Sequence, residues 1–345
     1  MPEPGERLAD YTTLRLGGPA RRLVHAGTRA EVVEALTSAD RDGDPVLLLA
    51  GGSNLVVADA GFPGTVVRIE SRGIDVSPDG DADVRVTVEA GEQWDAFVER
   101  AVAEGWSGVE ALSGVPGSVG ATPIQNVGAY GQEVAQTIRS VRCWDRVERS
   151  EVEIPAHECG FGYRTSRFKR RPDRFAVLAV TFTLARGRLG APIRYAELAR
   201  RLGVEPGDRV KLPEVRRAVL ELRARKGMVL DPADHDTWSA GSFFTNPVLP
   251  EDAAARLPAD APRWPQPDGA VKTSAAWLIE HAGFGRGYGD GAAAVSGKHT
   301  LALTNRGGAT TADLLALAAE IRAGVQQRFG VCLVNEPVLV GCALP

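Results

Sequence analysis

The sequence is poor in cysteine, histidine and lysine, and it contains no long apolar run. Its four cysteines, Cys143, Cys159, Cys332 and Cys342, form no C-x-x-C pair, which excludes the usual paired-cysteine metal and redox motifs and reads as free thiols in a reducing compartment. The five histidines, His25, His157, His235, His281 and His299, lie scattered without metal-ligand spacing, so no metal site is expected. Only five of the 40 basic residues are lysine, and the net charge is -4. No basic field is available to hold nucleic acid, and a short basic run such as Lys169, Arg170 and Arg171 reads as a solvated face. No segment reaches the ~18 consecutive apolar residues of a membrane span. The polar, acidic N-terminal stretch has no apolar signal core, so a cytoplasmic location away from the membrane is expected. Neither an internal repeat nor a heptad pattern points to an obligate protein partner.

What is present suits a folded enzyme of two or three domains: 345 residues, 44% of them hydrophobic, enough to bury a sizeable core. Thr28-x-x-Glu31 spells a capping box ahead of an apolar face at helical spacing. Residues 46–50 read as a buried strand that ends abruptly at Gly51. Val84, Val86 and Val88 alternate with polar residues as a half-buried strand does, and a helix is expected over about 93–104. Further strands are expected at 140–144 and 175–184, and amphipathic helices at 213–226, 272–281 and 311–329. The last has Thr310-x-x-Asp313 as its cap. Two apolar runs flank Asn335, Glu336 and Pro337. A Gly/Arg/Pro-rich stretch at 185–192 is the candidate boundary, dividing the chain into 1–188 and 189–345.

Two glycine-rich stretches stand out. Gly51, Gly52, Ser53 and Asn54 follow a buried strand directly, where glycines permit positive φ and successive N–H groups can form a nest for phosphate oxygens. Residues 113–131, SGVPGSVGATPIQNVGAYG, have five glycines, two prolines and no charge. A long uncharged stretch without periodicity inside a domain reads as an ordered backbone loop. Gly114, Gly117 and Gly120 imitate a dinucleotide fingerprint, but the required strand, helix and downstream acid are missing. Two such loops suit a ligand with a diphosphate, a flavin or nicotinamide dinucleotide, held outside a Rossmann fold. Arg164 offers a planar cationic fork, Ser242 sits between a small residue and two aromatics, and Glu336 follows the apolar run 331–334.

In order along the chain, TTLRLGGPA (12–20), LAGGSNLVV (49–57), SGVPGSVGATPIQNVGAYGQE (113–133), GYRTSRFK (162–169), SAGSFFTNPV (239–248), AAWLIE (275–280) and NEPVLVG (335–341) closely resemble the UDP-N-acetylenolpyruvoylglucosamine reductase family. The resemblance covers most of the chain. It implies an α+β fold: a vanillyl-alcohol-oxidase-type, PCMH-like FAD-binding domain of two subdomains over 1–188, then an α+β UDP-sugar-binding domain over 189–345. It implies non-covalent FAD, held by Gly51, Gly52, Ser53, Asn54 and Leu55 and by Gly117, Ser118, Val119, Gly120, Asn126, Gly128, Ala129, Tyr130 and Gly131, mainly through backbone donors. NADPH is the implied hydride donor and UDP-N-acetylenolpyruvoylglucosamine the implied acceptor, reduced to UDP-N-acetylmuramate for the cell wall. By the same carry-over Arg164 stabilises developing negative charge, Ser242 delivers the proton, and Glu336 is an acidic partner beside the enolate. Tyr195, Lys226 and Asn246 match substrate-contacting positions. Trp264 stands where relatives have a tyrosine, a departure from the family's pattern.

Two other readings stay open at this point. One is another FAD-dependent oxidoreductase of the same fold; many of these tether FAD to a histidine, and none lies in either loop. The other is a non-catalytic flavin or nucleotide-sugar binding regulator, which would be expected to lose some of Arg164, Ser242 and Glu336.

Overall fold

Thr28 forms its capping box: its hydroxyl accepts from the Glu31 N–H at 3.2 Å, and the Glu31 carboxylate accepts from the Thr28 N–H at 3.2 Å. The helix Arg29–Arg41 follows. This is one element of a computed structural model that describes residues 6–345. The chain divides into two compact units. One comprises Arg21–Gly51 and Pro63–Arg225; the other comprises the N-terminal segment to Ala20, Gly52–Phe62 and Lys226–Pro345. Both mix helices with sheets, so the fold class is α+β as expected.

In the first unit an antiparallel sheet runs in the order Ser150–Pro155, Ile138–Asp145, Phe175–Arg186, Asp83–Glu89, Ile74–Asp79. The alternation at Val84, Val86 and Val88 does what it predicts, since all three are fully buried against the helix Trp94–Ala103. Phe97 stacks on Phe182 with ring centroids 5.2 Å apart, and Trp94 donates its indole N–H to the Leu112 carbonyl at 3.0 Å. A second sheet pairs Val46–Leu49 in parallel with Phe62–Ile69, its core filled from Val32 and Leu36 of the first helix.

The unit boundary corrects the expected division at 188/189. Residues 189–225 belong with the first unit because the apolar faces of the helices Ala196–Leu202 and Leu212–Arg225 close over Ala111 and Ile193. Arg216 fixes the second of these helices through a bidentate bond to Asp95 at 2.6 and 2.9 Å. Asp95 also accepts the Gly114 N–H at 2.6 Å. Burial alone would raise the Asp95 carboxyl, but the Arg216 guanidinium and the Gly114 N–H outweigh it and hold the group below its ordinary value. The Gly/Arg/Pro stretch ends the strand Phe175–Arg186 and stays within this unit, with Leu189 bridged to Lys211.

In the second unit Leu55–Val57 pairs in parallel with Val338–Val340, far along the chain. Ser239–Ser242, Ala302–Asn305 and Ala293–Val295 form an antiparallel sheet, and Val248–Leu249, Val271–Thr273 and Arg263–Pro265 form a smaller one. The helix Thr311–Phe329 buries Leu314, Ile321 and Val325. Its free N-terminal amides meet the Asp59 carboxylate, which accepts from Thr311 at 2.7 Å and Ala312 at 3.0 Å. The helix expected over 272–281 begins only at Ala275. Val271 and Thr273 are β-branched and take a strand, and the Ser274 hydroxyl caps the helix by accepting the Trp277 N–H at 3.2 Å. Of the two terminal apolar runs only Val338–Val340 is a strand. No described helix is long and apolar enough to cross a membrane.

Glu110 holds the first unit together at an unexpected point. Fully buried, its carboxylate accepts from the Gly108 N–H at 2.6 Å, the Ala191 N–H at 2.5 Å and Gln132 Nε2 at 3.0 Å. Glu110→Ala removes one acceptor group from three donors and is expected to cost roughly 3 kcal/mol of unfolding free energy. A urea titration against the unaltered protein measures it; a loss under about 0.5 kcal/mol would mean water replaces the carboxylate.

Candidate functional site

The Gly51 and Gly117 backbones touch: a Cβ added at Gly51 would lie 2.7 Å from the Gly117 Cα. Gly51 must therefore be glycine for steric reasons, whatever it binds. Gly52 is left-handed, at φ 58°, and a Cβ there would strike the Tyr11 carbonyl. Asn54 and Leu55 lead into the strand Leu55–Val57, with Ser53 in the turn before them.

Along the long loop two backbone amides have partners within the chain. The Val119 N–H is committed to the Glu92 carbonyl at 2.8 Å and the Gly120 N–H to the Ala90 carbonyl at 2.9 Å. Neither amide is available to a phosphate, and Gly120 is small because Ala90 lies against it. Ser118 differs. Its hydroxyl is buried with no hydrogen-bond partner, a state that costs free energy unless a ligand completes it. Asn126 is 1% exposed, and its amide is engaged internally: Nδ2 donates to Glu133 Oε2 at 2.8 Å and to the Gly162 carbonyl at 3.2 Å, while Oδ1 accepts the Ala135 N–H at 3.1 Å. Gly128 and Ala129 pair with Glu133 and Gln132 in a hairpin whose two-residue turn is Tyr130 and Gly131. Both turn residues have positive φ, 49° and 86°, as a type I′ turn requires. An aromatic residue held there is unusual. The Tyr130 ring meets Tyr195 edge-on at 5.5 Å, and burial pushes its hydroxyl up to about 12.

Arg164 sits at the tip of a second tight hairpin, between the bridged residues Gly162 and Thr165, and its own φ is 52°. Its Nη2 donates to the Gly128 carbonyl at 2.8 Å, and Lys169 Nζ donates to the Arg164 carbonyl at 3.1 Å. Ser166 anchors the hairpin base by donating to the Ile124 carbonyl at 2.5 Å.

Ser242 and Glu336 lie together in the second unit. Ser239 pairs with Thr304 and Ser242 with Ala302, so one extra residue bulges between them, with Gly241 at φ 74°. Such a bulge re-aims the side chain that follows it. The next residues run beside 334–336: the Glu336 N–H donates to the Phe243 carbonyl at 2.8 Å and the Thr245 N–H to the Val334 carbonyl at 3.0 Å. On the other side of Glu336 the Val338 N–H donates to the Asn54 carbonyl at 2.9 Å, and Asn54 Nδ2 reaches the Glu336 carbonyl at 3.5 Å. Phe243 and Phe244, which follow Ser242, are both buried, with ring centroids 5.1 Å apart. Of the substrate candidates, Asn246 accepts the Ala275 N–H at 3.0 Å through its carbonyl oxygen, which leaves its amide hydrogens to offer. Lys226 begins the second unit directly after the helix Leu212–Arg225. Tyr195 precedes the helix Ala196–Leu202 in the first, with its side chain partly exposed.

Residues 231–340 match the family model described as UDP-N-acetylenolpyruvoylglucosamine reductase, C-terminal domain, and residues 20–149 match one described as FAD binding domain. A UDP-N-acetylenolpyruvoylglucosamine reductase of Thermobifida fusca is 59% identical over 98% of this chain and 97% of its own. That of Streptomyces avermitilis is 58% identical over 98% and 94%. The chain belongs to the UDP-N-acetylenolpyruvoylglucosamine reductase family. The crystal structure of the Thermus caldophilus enzyme of that name superposes with a TM-score of 0.64 at 27% identity, covering 97% of both chains.

As a UDP-N-acetylenolpyruvoylglucosamine reductase family member the chain is an FAD-dependent oxidoreductase of peptidoglycan precursor synthesis, with the vanillyl-alcohol-oxidase-type fold expected. The family's cofactor fits the residues present. Ser118 carries a buried hydroxyl without a partner, and the Gly51 and Gly117 backbones approach with no side chain between them. Residues that the sequence left unassigned also surface here. Glu110, Gln132 and Glu133 tie the Tyr130 hairpin to its surroundings. Arg223 is a buried guanidinium, held below its ordinary value by that burial, whose Nε donates to the Gly114 carbonyl at 3.0 Å. Gln132 and Glu133 close a recognisable motif, which was their only sequence signal.

The contact between Gly51 and Gly117 gives a test. Gly51→Ala forces a backbone shift, so the protein should purify with less than about half the flavin, read from the ratio of visible to 280 nm absorbance, and with its circular dichroism unchanged. Full flavin content in the variant would show that this contact does not shape the cofactor loop.

Proposed function

We propose that this protein reduces the enolpyruvyl ether of UDP-N-acetylenolpyruvoylglucosamine to UDP-N-acetylmuramate, with NADPH as electron donor and non-covalent FAD. The observation that carries the reading is the hydrogen bond from the Glu336 N–H to the Phe243 carbonyl. It sets a hydroxyl and a carboxylate on adjoining backbones, one residue pair from Asn54 and the glycine turn.

FAD, when bound, would supply the redox chemistry as the hydride carrier between NADPH and the methylene carbon of the enolpyruvyl group. The chain's residues handle the charge that follows. Addition at the methylene leaves an electron pair on the adjacent carbon, delocalised into its carboxylate. Arg164, permanently cationic and braced by Gly128, stabilises that charge. Ser242 donates its hydroxyl proton to the carbon, completing the saturated ether, and solvent returns the proton to the serine. A serine is a weak acid, but a carbanion is basic enough to deprotonate it, so no resting ionisation is required. Glu336 accepts a hydrogen bond beside the developing enolate and orders the site around Ser242. Gly51 and Ser118 would hold the cofactor's diphosphate and ribityl chain, as would Gly52, Ser53, Asn54 and Leu55. Gly128, Ala129, Tyr130 and Gly131 form the hairpin beside it. Tyr195, Lys226 and Asn246 hold the nucleotide-sugar. NADPH and the UDP-sugar use the site in turn.

Ser242→Ala separates the two half-reactions. Under anaerobic stopped flow, bleaching of the flavin by NADPH is expected within about threefold of the unaltered protein. Its return on adding UDP-N-acetylenolpyruvoylglucosamine is expected to slow by roughly 10²–10⁴. Equal damage to both phases would give Ser242 a structural role and remove it as the acid.

A further inference from the structure

Arg164 is held by a closed ring of hydrogen bonds, and Glu133 is the member that sets its direction. Starting from Gly128, the ring passes across the strand pair to Glu133, from Glu133 Oε2 to Asn126 Nδ2, and from the same Nδ2 to the Gly162 carbonyl. It then follows the chain to Arg164 and returns from Arg164 Nη2 to the Gly128 carbonyl. An asparagine amide can face either way. Here one orientation leaves Oδ1 to accept the Ala135 N–H and points both hydrogens at acceptors. A carboxylate only accepts, so Glu133 joins the Gly162 carbonyl and the Ala135 N–H in forbidding the flipped amide. Glu133 is itself fixed, because its side chain and backbone exchange hydrogen bonds with Gln136 in a capping box. The hairpin so anchored is two residues wide between its bridged ends and carries Arg164 in a left-handed backbone, a conformation that persists only where its surroundings enforce it.

We propose that Glu133 is the positioning residue for Arg164, acting through the Asn126 amide and the Gly162 carbonyl. This deepens the reading of Arg164 given above and rests on it. A cation that must meet charge appearing on one carbon loses its effect with displacements near 1 Å. Loss of the Glu133 carboxylate removes the shortest of the three bonds that hold the amide and loosens its donation to the Gly162 carbonyl.

The test uses the FAD-loaded protein. Glu133→Ala is expected to slow reoxidation of the reduced flavin by UDP-N-acetylenolpyruvoylglucosamine about 10–100-fold, with flavin content and NADPH bleaching within about threefold. Glu133→Gln keeps a carbonyl oxygen for Asn126 and is expected to recover most of the rate. In the Arg164→Ala background Glu133→Ala should add no further slowing; a full additional loss, or equal slowing of both half-reactions, overturns the proposal. A second measurement reads position without turnover. The Arg164 guanidinium Nε–H resonance, assigned by its absence in Arg164→Lys, should broaden or move to the position of exposed arginines in Glu133→Ala. An unchanged resonance overturns the positioning itself. An unchanged reoxidation rate in Arg164→Ala sinks the role of Arg164, and leaves the resonance to judge whether Glu133 holds it.

Discussion

The hydrogen bond between the Glu336 N–H and the Phe243 carbonyl, continued by the one from Val338 to Asn54, is the constraint from which the second unit is built. Residues 54–57, 242–245 and 334–340 come from three distant parts of the chain, and each is too short to be stable alone. Joined edge to edge, they satisfy one another's backbone groups. The bulge at Gly241 and the turn at Gly52 then act on a fixed frame. A bulge re-aims a side chain usefully only if the neighbouring strand does not move with it.

In the first unit the corresponding device is polar and mostly buried. The Tyr130 hairpin projects Gln132 to one side, where it bonds Glu110 and the Ala111 N–H, and Glu133 to the other, where it bonds Asn126. Glu110 extends the first arm to Ala191, shortly before Tyr195; Asn126 extends the second to Gly162, shortly before Arg164. One hairpin thereby ties together an exposed aromatic and a cation. Networks of this kind are rigid when complete and costly when broken, which suits a part that must not drift.

What could be read in the sequence was whatever is local. The Thr28 capping box, the alternation at Val84, Val86 and Val88, and the amphipathic face of the helix Leu212–Arg225 depend on neighbours within a turn or two, and all three took the expected form. The motif segments gave the family, and with it the fold. The division of the chain was not legible, because the Gly/Arg/Pro stretch looks like a linker and only contact with Ala111 shows that residues 189–225 pack back. The donors of the long loop were not legible either. A glycine placed for a ligand and a glycine placed for Ala90 are the same letter, and only the carbonyls facing the Val119 and Gly120 amides distinguish them. The motif marks Asn126, but that its amide holds the Gly162 carbonyl could be seen only in the fold.

The parallel pairing of Leu55–Val57 with Val338–Val340 also bears on how the molecule is made. Asn54 and Glu336, which meet at the start of this pair, are 282 positions apart. During synthesis the first strand leaves the ribosome well before its partner. Meanwhile the first unit, complete at Arg225, can fold before that partner is made. For that interval Val56 and Val57, fully covered in the finished protein, present a short apolar edge without a mate, the condition under which nascent chains recruit chaperones or one another. The shortness of the strand, three residues, limits that exposure.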